Sequence, residues 1–481
     1  MHTPRRSGLP EGPGRVNGLR RIASRVSLIG LLLASSVVAG DDRQVQKPAK
    51  TSSLPAGVTD DPLLNSRFLF FAPDSLRRKT LRWIQKNHRI DMAAALIHAM
   101  RFHEPDERDE IAAVLRALTG EQHRGDWFKW MLWIEAHPEV VSFAGFDVFL
   151  SSVFGNLDPV FKKFVFPGMR HRIRVEEIVW GGVGKDGIPA LTNPKHIPAT
   201  DADRLVDDEL VFGVVINQNV RAYPFRYMDW HEMLNDVVGG VPVSLAYCTL
   251  CGSGILFDTR RTDDSPFVFG SSGLLYRSNK LMFDQQTSSL WNQFTGEPVT
   301  GALTDSGLAL PVLPVTISSW GEWRRLHSDT LVLADDTGFE RDYRPGAAYA
   351  RYFGSDALMF PALVRDNARP PKAYVFVLRI TGAERAWPLD LFEKNNVIND
   401  QVGVIDIVLV GNAQTRTVRA YRRGKERFAS DSQLDVLIDS AGSQWTLTED
   451  ALIAQDGRTL ARLPGHVAYT FAFDSSYPRG G

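Results

Sequence analysis

Two cysteines, Cys248 and Cys251, stand three apart in "SLAYCTLCGSGILFD" and are the only ones in 481 residues. A C-x-x-C pair can hold a metal as two thiolates, cycle between dithiol and disulfide, or clip a turn without chemistry. The flanking runs "PVSLAYC" and "GILFD" read as strands, so "TLCGS" is the turn, and Gly252 can take the positive φ that brings backbone amides toward sulfur. No helical pattern follows Cys251, which separates this pair from redox motifs at a helix N-terminus. The hairpin favours a soft-metal knuckle. Closed zinc or iron–sulfur sites need four ligands, and no second C-x-x-C exists. His231, in "DWHEMLND", is the candidate third ligand, with Glu232, Asp258 or Asp284 as a possible fourth. Two thiolates alone suit copper(I), and adding histidine suits copper or zinc. A thiol–disulfide oxidoreductase and a clipped structural hairpin remain open beside the metal reading.

Polar and aromatic residues crowd the next segment, "FGSSGLLYRSNKLMFDQQTSSLWNQFTGEPVTG". With Tyr247, the residues Tyr276, Arg277, Asn279, Gln285 and Gln293 could line a pocket beside the hairpin, since binding sites set a few polar groups among aromatic walls. Trp291 reads as core. No nucleophile elbow or phosphate-binding glycine loop is present, so a serine hydrolase or a nucleotide site of those types is not expected. Whether the chain is an enzyme stays undecided. Lys and Arg (55) balance Asp and Glu (56), which gives no field to attract nucleic acid. A small molecule or another protein is the expected partner.

The elements that carry these residues divide along the chain. Residues 1–40 read as a secretory signal peptide: Arg20, Arg21 and Arg25 precede "SLIGLLLASSVVAG", an apolar run too short to cross a bilayer as a helix. Cleavage would leave no transmembrane anchor and a periplasmic or secreted protein. Residues 41–63 form a polar linker, and 64–168 a helical accessory domain, in which "DERDEIAAVLRALTG" opens on acids and stops at Gly120. Strand-rich texture follows, and it repeats. Residues 211–247 laid over 375–411 without a gap share eleven of 37 positions, including Arg221 with Arg385, Pro224 with Pro388, Asn235 with Asn399 and Asp236 with Asp400. The Asn-Asp pairs read as turn residues. Asn395, Asn412 and Thr415 stand opposite His231, Cys248 and Cys251, so only the first copy, residues 169–365, carries the chemistry. Residues 366–481 read as a degenerate second copy. The expected class is α+β: a helical N-terminal domain, then a strand-rich, internally duplicated domain of mixed α and β structure.

The runs "GKDGIPALTNPKHI", "RAYPFRYMDWHEMLNDVVGGVPVSLAYCTLCGSGILFD" and "DTGFERDYRPGAAY" together resemble the exported proteins of the domain of unknown function 3179 family. That family's hairpin is similar to C-P-L-C-G, with Thr249 here in the proline place, and its W-H-E matches Trp230, His231 and Glu232. The resemblance implies no catalytic assignment.

Overall fold

The computed structural model describes residues 57–261, 265–365, 369–380, 382–431 and 435–477. The signal peptide expected at 1–40 and most of the linker lie outside them. Among the described residues no helix is long and apolar enough to cross a membrane. The chain divides into two compact units, one ending at Gly125 and one running from Asp126 to Gly481.

The first unit is helical. Its helices are α1 (Pro62–Phe71), α2 (Asp74–Lys86), α3 (Ala93–Met100) and α4 (Pro105–Thr119). Asp61 caps α1 by accepting from the Leu63 amide, and proline opens the first turn, where its missing N–H costs nothing. A capping box between Glu104 and Glu107 starts α4, and Gly120, at φ 81°, ends it. All eight residues of α3 are buried. Arg77 on α2 is buried too and is held by Glu107 at 2.6 Å.

The second unit opens with α5 (Trp127–Ala136) and α6 (Phe146–Leu157), so the break at Gly125 falls inside the stretch expected to form one helical domain. Strands dominate from there. A two-residue turn joins β1 (Leu210–Ile216) to β2 (Asn219–Pro224); Asn217 and Gln218 both take positive φ, the twist that suits a tight hairpin. Helix α7 (Phe225–His231) leads into β3 (Met233–Val238) and β4 (Val241–Cys248), and β5 (Ser253–Asp258) returns antiparallel to β4. These strands lie in the order Val312–Leu313, β5, β4, β3, Leu191–Thr192. A second sheet holds β6 (Phe269–Tyr276) and β7 (Asn279–Asp284), joined through Arg277 and Ser278, again both at positive φ.

Residues 374–412 run through the same order: β8 (Tyr374–Ile380), β9 (Ala383–Pro388), a 3-10 turn, β10 (Val397–Val402) and β11 (Ile405–Asn412). Specific hydrogen bonds also recur. Asn235 exchanges two bonds with the Phe269 backbone, both 2.9 Å, and Asn399 exchanges two with Phe428, at 2.7 and 2.8 Å. Asp236 accepts from the Tyr223 hydroxyl and Asp400 from the Trp387 indole. Asp284 accepts from Trp291, as Asp439 does from Trp445. Asn235 and Asp236 are therefore strand residues that tie neighbouring segments together; the reading of them as turn residues fails because the turn lies further on, at Gly239 and Gly240. One apolar core mixes both stretches, with Phe212, Tyr223 and Leu245 packed among Phe376, Trp387 and Ile407.

Candidate functional site

Backbone geometry puts both sulfurs at one corner. After Cys248 ends β4, Thr249–Cys251 form a single 3-10 turn, and Gly252 (φ 58°, ψ 27°) reverses the chain so that Ser253 pairs with Cys248. A Cβ at Gly252 would lie 3.0 Å from Tyr469 and 3.1 Å from Tyr374, so both backbone angle and space call for glycine. The cysteines are free thiols, exposed by only 1 % and 0 %.

Polar groups converge on this corner from three other elements. The Asn279 amide, at the start of β7, donates to the Cys251 sulfur at 3.3 Å and to Gln293 Oε1 at 2.8 Å. Gln293 in turn donates to the carbonyls of Ala246 and Ser253, bridging β4 and β5. Lys280, also on β7, is buried. Its ammonium donates to the Glu232 carbonyl at 3.0 Å, to Ser271 Oγ at 3.2 Å and to Glu232 Oε2 at 3.4 Å. Glu232 takes a left-handed conformation (φ 55°) just after α7, which aims its carboxylate inward; Oε1 accepts from Thr249 at 2.7 Å and from the Tyr349 hydroxyl at 3.0 Å. A cavity of about 60 Å³ adjoins the group, lined by Glu232, Leu250, Lys280 and Tyr349.

Electrostatics make the two thiols unequal. Burial opposes ionisation of both. For Cys248 burial and the Glu232 charge push the thiol up, but the hydrogen bond from Cys251, the Lys280 backbone amide and the Lys280 ammonium together outweigh them and bring it below its ordinary range. Cys251 is pushed up by burial and by its partner, so it keeps its proton. Burial also lowers Lys280, against the pull of Glu232 and the cysteines.

The residues singled out from sequence are sorted by this geometry. Cys248, Cys251, Asn279, Gln293 and Glu232 come together. His231 is fully buried but turned elsewhere: its ring nitrogens lie 2.8 Å from the Pro189 carbonyl and 2.6 Å from the Tyr343 hydroxyl. The carbonyl can only accept, so Nδ1 carries the proton, and burial holds the ring neutral, leaving Nε2 to accept from Tyr343. Asp258 is forked by Arg260, and Asp284 is taken by Thr287 and Trp291. Among the described residues no group of three or more His, Cys, Asp or Glu side chains is arranged to hold a metal. Arg277 pairs with Glu177 at 2.6 Å, beside the Tyr276 ring, and Gln285 is exposed. Tyr247 lines a different, larger cavity. Lys280 and Tyr349 were not anticipated. A lysine inside "NKLMFD", a strand buried at every position, was the available signal for the first; Tyr349, some hundred residues from the cysteines, gave none.

The fold and site define an α+β protein with a buried dithiol turn facing a lysine–glutamate pair. The chain belongs to the family described as Protein of unknown function (DUF3179), whose model matches residues 185–480. No curated protein matches the chain, and no solved structure does.

Proposed function

We propose that Cys248 and Cys251 form a dithiol–disulfide centre that exchanges with small disulfides. The observation that carries this reading is the buried, asymmetric pair: an acidified Cys248 beside a protonated Cys251, with the Lys280 ammonium next to both. In the reaction, the Cys248 thiolate attacks one sulfur of RSSR and expels RS⁻, which takes a proton. Cys251 then loses its proton and attacks the Cys248 sulfur, expelling the second thiolate. Two thiols and RSSR become one protein disulfide and two RSH. The near-complete burial of both sulfurs favours a small oxidant over a protein partner. Export to an oxidising compartment, as the N-terminal sequence suggests, gives such a couple something to respond to.

A second reading rests on the same two sulfurs. With no third ligand group assembled among the described residues, only an ion content with two soft donors suits the turn, and copper(I) is that ion; zinc, which wants four ligands, fits poorly. Lys280 would offset the negative charge of two thiolates. We further propose that residues 211–247 and 375–411 descend from one duplicated unit, supported by the recurrent Asn–Phe, Asp–aromatic and Asp–Trp hydrogen bonds.

Treatment of the Cys251→Ser variant with a small disulfide tests the redox reading. Cys248 should retain the mixed disulfide as a stable mass increase, which Cys248→Ser should not. Stoichiometric copper that masks both thiols and blocks the exchange would overturn it in favour of the metal.

A further inference from the structure

A cavity of about 310 Å³ opens on the far side of the cysteine turn, walled by Phe225, Tyr247, Tyr374 and Tyr469. An apolar cavity of about 150 Å³ is enough for benzene, so this one has room for a single substituted ring. Its walls suit a ring: Tyr374 and Tyr469 lie with centroids 4.7 Å apart.

Three charged residues in it bear on what it could hold. Arg416 places its guanidinium 4.1 Å over the Tyr374 ring, and no hydrogen bond from that guanidinium is found among the described residues. Its backbone is left-handed, φ 55°, at the position that aligns with Gly252 in the other stretch. A bulky residue there holds a strained conformation that glycine would adopt freely, and strain of this kind collects at binding sites. Asp229, exposed by only 7 %, lines the same cavity within reach of the Arg416 charge; the Tyr247 hydroxyl donates to its carboxyl, and its Oδ1 has no hydrogen-bond partner. A buried polar atom without a partner is destabilising unless something pairs with it. Lys372 adds a second cation, its ammonium held by the carbonyls of Tyr352 and Ser355 and within the field of Asp356, which also lines the cavity. The remaining cation, Arg226, is spent on Glu209.

We infer that this cavity binds a small hydroxylated aromatic carboxylate: the carboxylate on Arg416, the ring among the tyrosines, and the hydroxyl on Asp229. Guanidinium and carboxylate match as a planar fork, and the aromatic stack already holds that guanidinium in place.

Calorimetric titration of the purified full chain with 4-hydroxybenzoate tests the assignment, with 4-hydroxybenzyl alcohol as the uncharged control and cyclohexanecarboxylate as the control without an aromatic ring. One molecule of 4-hydroxybenzoate should bind per chain, and both controls should bind more weakly. Arg416→Gln should weaken 4-hydroxybenzoate by roughly 10- to 100-fold, the loss of a charge-assisted pair, and leave the alcohol unchanged. Arg416→Gly guards against misfolding as the cause: it relieves the left-handed strain, so it should melt no lower than the parent and still lose the carboxylate. Asp229→Asn should weaken 4-hydroxybenzoate and leave benzoate unchanged. Absence of saturable binding at millimolar ligand, or equal affinity in Arg416→Gly, would overturn the proposal.

Discussion

The Cys251 hydrogen bond and the Lys280 backbone amide and ammonium together set the acidity of Cys248 against burial and the Glu232 charge. Lys280→Met removes the ammonium and keeps the backbone hydrogen bond, so it should raise the Cys248 midpoint and lower the thiolate fraction at pH values around it. A pH titration of thiolate ultraviolet absorbance reads this directly; an unmoved midpoint would deny Lys280 that role. Because the substitution leaves Glu232 buried without its cation, the single variant should lose about 3–5 kcal/mol of stability, and Lys280→Met with Glu232→Gln should recover part of it. Asp229 makes a separate prediction. Burial pushes its carboxyl up to about 7, well above the unfolded value near 4. A raised carboxyl contributes stability that is complete below about pH 4 and is lost as pH climbs to about 7, because the unfolded chain gives up its proton first. Asp229→Asn escapes that loss, so its melting temperature relative to the parent should rise between about pH 4 and pH 7; a flat difference would show that the folded carboxyl titrates normally. Sequence reading reached the sulfurs, Asn279, Gln293 and Glu232 because their types and nearness in the chain announce chemistry. It expected His231 beside the sulfurs, but adjacency to Glu232 does not fix direction: the two side chains flank a left-handed turn and bond to different partners, His231 to Pro189 and Tyr343 and Glu232 to Thr249.

At the scale of elements, the cysteine turn is set by the β4–β5 hairpin and closed by Gly252. Gly252→Ala adds a methyl where φ is 58° and two tyrosine rings stand at about 3 Å, so it should cost roughly 1–3 kcal/mol in denaturant unfolding and disturb the thiol pair. A stability change under about 0.5 kcal/mol, the ordinary range for a harmless surface substitution, would contradict the geometry. The strands and this turn were legible from period and glycine placement. The Asn-Asp segments were not, because a polar pair before glycines looks the same whether it makes a turn or ties a strand to its neighbour; only the pairing of Asn235 with Phe269, 34 residues away, distinguishes them.

Over the whole molecule, the two stretches share a core and a set of polar ties, yet only one carries sulfur. Asn235→Ala and Asn399→Ala remove equivalent pairs of hydrogen bonds, so each should destabilise the chain by a similar amount, about 1–3 kcal/mol. Their chemistry should differ: Asn235→Ala acts within the sheet that carries the cysteines and should alter thiol exchange, whereas Asn399→Ala should not. Equal effects on exchange would argue against assigning the chemistry to the first stretch. The likeness of the two stretches was readable because the polar ties that hold each of them fall on the same residue types at one constant offset, Asn235 with Asn399 and Asp236 with Asp400. The division into units was less readable, since helical periodicity continues past Gly125 while the packing changes there.

Equilibration of the full chain across a series of glutathione redox buffers, with thiols trapped by acid and counted by mass, tests the dithiol–disulfide centre most directly. A single two-electron transition in which Cys248 and Cys251 vanish together, absent from Cys248→Ser, is the predicted result. Two thiols that remain free at every ratio, in a folded protein without bound metal, would contradict it.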